Sequence, residues 1–103
     1  MSRGPDAGTA LVRVLEADAL RAGCPVRLVS SDWTRWASAT FTGARHKLSL
    51  EAVEGSALDE WLAGLPEIDL PIRGHLVADI VIMSVQRADG TATIGLEALT
   101  VEE

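Results

Sequence analysis

Two short stretches hold most of the side chains able to bind or react: Asp32-Trp33-Thr34-Arg35-Trp36 and Gly43-Ala44-Arg45-His46-Lys47. They carry two of the three tryptophans together with Arg35, Arg45, His46 and Lys47. Cationic groups beside indole faces suit an anionic small molecule, a nucleic-acid strand or the acidic face of a partner, through charge, stacking and cation–π attraction. Trp33, Arg35, Trp36, Arg45, His46 and Lys47 are therefore the candidate ligand- or partner-binding residues. The plainer reading of the same residues is structural, and it is favoured: Trp36 packs on the core, the arginines solvate an exposed face, and His46 is a core histidine with its hydrogen bonds met.

A second pair is His75 and Asp79, expected on one face of a strand, four residues and roughly 13 Å apart, too far for contact. Asp79, expected among Val77, Val81 and Thr100, then calls for a cation such as His46 or an arginine, because an unpaired buried charge is costly. A structural polar contact is favoured there over an acid–base pair. Cys24 sits between Gly23 and Pro25 with no evident base, and reads as a small packed side chain. As the sole cysteine it can form no internal disulfide, which points to a reducing, cytoplasmic setting.

Recognisable catalytic signatures are missing. The chain has no Walker loop, no GxGxxG, no zinc-like Cys/His spacing, no H-E-x-x-H and no nucleophile elbow. Its nine glycines are scattered rather than gathered into a phosphate cradle. No catalytic residue, metal site or cofactor is assigned, and the balance leans away from an enzyme.

The elements that must position these residues follow from composition and period. At 103 residues, 48% of them hydrophobic, the chain suits one domain with one core. No uncharged apolar run is long enough to span a bilayer, and the charged, Gly- and Pro-containing start argues against a signal peptide. Residues 1–8 read as a flexible leader, and 9–103 as a single α+β domain. The net charge of −6 is divided unevenly: residues 1–50 carry +3 and residues 51–103 carry −9. A net acidic chain is a poor general nucleic-acid binder, whereas opposite charges on two faces can attract neighbouring copies. Eight Arg against one Lys is a compositional style of bacterial proteins and assigns no activity.

Strong helix formers over Thr9–Ala22, with Leu11, Leu15 and Ala19 in register, predict a helix ended by Gly23 and Pro25. Val26–Val29 reads as a strand, Ser30-Ser31-Asp32 as a turn, and Thr34–Thr42 as a second strand. The alternation of apolar residues changes parity at Gly43, which implies either a hairpin turn at Thr42-Gly43 or a bulge there. Ser56 and Asp59 predict a capped helix bearing the stripe Leu58, Trp61, Leu62 and Leu65, ended by Pro66. Glu67–Gly74 reads as an extended connector packed by Ile68, Leu70 and Ile72.

Asp89-Gly90 predicts a two-residue hairpin, and pairing outward sets Val85 opposite Ile94, Met83 opposite Leu96 and Val81 opposite Ala98. The other face then carries Leu76, Ala78, Ile80 and Ile82, with Leu99 and Glu97 across from the two isoleucines. It is too apolar to be wholly solvated. The expected fold is an antiparallel sheet of four to five strands with two helices, in the order α-β-β(-β)-α-β-β. Its expected role is a non-enzymatic module that binds a protein partner or itself, as a homodimer for instance. The alternative is a small-ligand-binding protein or simple enzyme with a cleft near Trp36, Arg45 and His46.

Overall fold

The computed structural model describes residues 7–103. The leader expected at 1–8 lies mostly outside the described residues; Ala7 and Gly8 belong to the first helix. Helix α1 (Ala7–Arg21) buries Leu11, Leu15 and Ala19 completely, as their four-residue spacing demands. Its end is a Schellman turn: Gly23 takes φ +86°, its N–H bonds the carbonyl of Leu20, and Cys24 N–H reaches back to the carbonyl of Ala19.

Strands β1 (Val26–Ala37) and β2 (Thr42–Val53) form one long antiparallel hairpin. The turn expected at Ser30-Ser31-Asp32 does not occur. The strand runs straight through these residues, and Val29 is accommodated as a bulge between the Leu28–Leu50 and Ser30–Ser49 pairs. On an edge strand such polar side chains can face water, so their turn preference is overridden by pairing with the apolar alternation of β2. The chain reverses instead at Ser38–Phe41. Ser38 N–H donates to the Phe41 carbonyl at 2.7 Å, and its Oγ accepts from the amides of Thr40 and Phe41. Gly43 is thus neither turn nor bulge but a paired residue of β2, opposite Trp36 and Val101.

Helix α2 (Ser56–Gly64) buries Leu58, Trp61 and Leu62. Its N-cap is Gly55, with no side-chain capping bond, so the cap expected from Ser56 is absent. Asp59 turns outward to Arg87 at 3.1 Å. A single 3₁₀ turn, Leu65–Glu67, carries Pro66 and leads into the connector, where Leu70 and Ile72 are buried.

Strands β3 (His75–Ala88) and β4 (Thr91–Glu102) meet at Asp89-Gly90, both at positive φ (+56° and +78°), which is the geometry of a two-residue hairpin whose twist matches its strands. Val85 pairs with Ile94 as expected, but the next two steps differ. Met83 is extruded between the Ile82–Leu96 and Ser84–Gly95 pairs, and Ala78 between Val77–Thr100 and Asp79–Leu99. Each bulge shifts the register by one. Ile80 therefore faces the core opposite Ala98, and Ile82 opposite Leu96, while Val81 and Met83 are turned outward. Bulges on an outer strand also twist its free edge away from pairing with another chain.

The sheet has the order β1-β2-β4-β3. Both helices cover the same face, since Leu11, Leu15, Leu58, Trp61 and Leu62 share one core with Leu48, Leu50, Ile94 and Leu96. The α+β architecture is thus two layers deep, and no described element covers the other face of the sheet. Among the described residues, no helix is long and apolar enough to cross a membrane.

Candidate functional sites on the two faces of the sheet

Strand parity divides the expected binding residues between two surfaces. The register Trp33–His46, Arg35–Ala44 and Trp36–Gly43 brings the two arms side by side, but alternate residues point to opposite faces. Trp33, Arg35 and His46 point toward the helices, whereas Trp36, Arg45 and Lys47 point away. The cleft expected among Trp36, Arg45 and His46 does not form, because the sheet itself separates His46 from the other two.

On the helix side, the end of the sheet holds a cavity of about 140 Å³. It is lined by Trp33, Arg35, His46, His75, Thr100 and Glu102, over a floor of Gly43 and Ala44 and beside Ala7 and Gly8 of α1. His46 is 2% exposed, and its Nε2 lies 2.9 Å from Thr100 Oγ1. The Thr100 hydroxyl in turn donates to the carbonyl of Ala44 at 3.4 Å. His75 is half-buried and its Nδ1 contacts the carbonyl of Arg73 at 3.4 Å.

Asp79 does not join this group. The bulge at Ala78 puts it opposite Leu99, on the outer face and exposed, rather than among Val77, Val81 and Thr100. His75 and Asp79 consequently lie on opposite faces. Cys24 is buried; burial pushes its thiol pKa up, and the charge of Asp18 adds to the rise, so the thiol stays protonated. Among the described residues, no group of three or more His, Cys, Asp and Glu side chains is placed to hold a metal ion.

The outer face reads as rows across the four strands. One end row is Trp36–Gly43–Val101–Leu76; next come Thr34–Arg45–Leu99–Asp79 and Asp32–Lys47–Glu97–Val81. Gly43 is required in the first row. A Cβ there would stand 1.9 Å from the carbonyl oxygen of Thr100 and 3.0 Å from Cε2 of Trp36. The indole of Trp36 lies across this glycine, in the manner by which an aromatic side chain covers a bare strand position. Trp36 is thus half-buried on the outer face and not in the core, and its Nε1 is shielded from solvent with no hydrogen-bond partner among the described residues. Leu76, Val81 and Met83 are 53%, 43% and 64% exposed beside half-buried Leu99 and Val101. Arg45 reaches Glu97 at 3.4 Å, and Lys47 pairs directly across from the same carboxylate's strand position.

Sequence reasoning missed Thr100 and Glu102 as neighbours of the histidines, although the even-numbered apolar alternation of β4 was available to place them. It also missed Val81 and Met83 as outward residues, for which only the pairing pattern carries a signal. No family model, curated protein or solved structure matches the chain.

Proposed function

We propose that the chain is a non-enzymatic protein-interaction module whose working surface is the outer face of the sheet. The observation that carries this reading is the exposure of Leu76, Val81 and Met83 on a face that no described element covers. These three large apolar side chains share the face with half-buried Trp36, Leu99 and Val101, and exposed apolar surface of this kind marks docking surfaces. Both edge strands carry bulges, at Val29, Ala78 and Met83, which disfavour association by strand addition and leave the face as the available route. Nucleic acid fits poorly: the cations are split between two faces, and Asp32, Asp79 and Glu97 stand beside Arg45 and Lys47. A reducing, cytoplasmic setting suits the single buried thiol.

A photo-crosslinking side chain placed at position 83 tests this in living cells, with one at Arg13 on the exposed side of α1 as control. A discrete protein adduct from position 83 that disappears with Leu76→Ser is expected. Equal adducts from both positions, or none from position 83, would remove the reading.

The convergence of Arg35, His46 and His75 on one cavity favours a second reading, a site for a small anion. Inorganic phosphate and acetate, titrated against the isotopically labelled chain, should then shift the ring signals of both histidines; unmoved rings would dispose of it.

A further inference from the structure

The charges of the outer face are sorted by strand, and this sorting selects the partner. In the two central rows, β2 presents Arg45 and Lys47, while β1 presents Asp32, β4 Glu97 and β3 Asp79. Among the described residues, two ion pairs of this face close within the sheet, Arg45–Glu97 at 3.4 Å and, two rows beyond Lys47, Arg27–Glu51 at 2.6 Å, which leaves Lys47 as the cation of the central rows that closes no ion pair within its own sheet. The geometry points to a second copy of this chain as the occupant, packed face to face about a two-fold axis that runs parallel to the strands between β2 and β4.

A two-fold in the interface plane can run along the strands or across them. An axis across the strands through the central rows stacks β2 on the partner's β2 and β4 on its β4, so Arg45 and Lys47 oppose cations and Glu97 finds no cation across from it. An axis along the strands exchanges the sides of the sheet instead. Because the order is β1-β2-β4-β3, it stacks β2 on β4 and β1 on β3. Lys47 then lies over Glu97 of the second copy, and Glu97 over its Lys47, in two symmetry-related pairs. In the end row, Trp36 lies over Leu76 of the second copy and Gly43 over its Val101, so the apolar patch closes on itself.

The dimensions suit such a contact. Four strands about 4.8 Å apart and twelve residues long at about 3.3 Å each offer roughly 750 Å², the per-partner area of an ordinary stable interface. Aligned sheets cross at about −30°, which displaces the outer strands most and keeps the central β2 and β4 in register. Opposite charges across the interface set this register and oppose the alternative, in which like charges meet. This inference rests on the outer face being the interaction surface and adds which partner it takes and in what orientation.

Reciprocal charge reversal tests it. Lys47→Glu alone and Glu97→Lys alone each place like charges at both symmetry-related contacts, and each should weaken dimerisation at least about tenfold in sedimentation equilibrium. Mixed in equal amounts, the two variants restore opposite charges at both contacts, although each chain still carries a like-charged pair within its own sheet. The mixture should therefore dimerise near wild-type strength, and misfolded chains could not rescue one another in this way. Lys47→Gln, which introduces no repulsion within the sheet, should weaken the dimer less than Lys47→Glu. Variants that dimerise as tightly as wild type, or a mixture that stays monomeric, would overturn the orientation while leaving the interaction surface standing. A wild-type chain that is monomeric at every concentration, with adducts from position 83 of some other mass, would overturn the second copy as partner. Loss of those adducts as well would take the surface with it.

Discussion

The indole N–H of Trp61 donates to Oδ2 of Asp18 at 2.8 Å, tying α2 to α1 above the sheet. The other oxygen of the same carboxylate accepts from Arg21 at 2.7 Å, so one side chain serves both a helix–helix tie and a local ion pair. Asp18→Ala leaves the nearly buried indole donor without its partner, and should cost about 1–3 kcal/mol in urea unfolding at neutral pH.

The same carboxylate sets a pH dependence. The hydrogen bond from Arg21 holds the Asp18 pKa below its ordinary value; partial burial opposes this, and the bond from Trp61 reinforces it. A depressed folded-state pKa gives stability that is fully present above the unfolded value, near 4, and is lost as pH falls through the folded one. The stability gap between wild type and Asp18→Ala should therefore be constant near neutrality and narrow in acid. A gap independent of pH down to the acid transition would contradict this role.

Gly43 and Gly95 both lie inside paired strands, yet they should respond differently to alanine. At Gly43 the added carbon meets the backbone oxygen of Thr100, which cannot move without breaking the β2–β4 ladder, so Gly43→Ala should cost about 2 kcal/mol or more. At Gly95 it meets only Oγ of Ser84, at 2.7 Å. That hydroxyl can rotate to another staggered position, so thermal unfolding of Gly95→Ala should show a loss below about 1 kcal/mol.

Alternate truncations along β3 read out its bulges. Ile80→Ala should cost about 2–4 kcal/mol, because Ile80 is buried opposite Ala98. Met83→Ala, measured in dilute solution, should stay within about 0.5 kcal/mol of wild type. A β3 paired without bulges would give the opposite order.

That contrast marks where the sequence was legible. Local conformational demands could be read directly: the left-handed Gly23 after α1, the Asp89-Gly90 turn, and the Leu58/Trp61/Leu62/Leu65 stripe each have a chemical reason within a few residues. The bulges at Ala78 and Met83 have none. Val81, Ile82 and Met83 are all apolar, so no alternation shows which of them faces in, and the choice is made by the unbroken alternation of β4 across from them. Ser30-Ser31-Asp32 misled for a related reason, since turn-forming side chains are equally at home on the solvent side of an edge strand. The candidate site suffered most from this. A basic, aromatic segment that is contiguous in sequence becomes two half-sets on opposite faces once Ser38–Phe41, and not Gly43, makes the turn.

The interaction surface is tested most directly by methyl NMR of the wild-type chain as its concentration is raised. Association through the outer face predicts shifts and broadening at Leu76, Val81, Met83, Leu99 and Val101, with Leu11, Leu15 and Leu50 unmoved beneath the helices. Changes confined to the cavity around His46, or spectra that do not change with concentration or with any protein crosslinked from position 83, would contradict it.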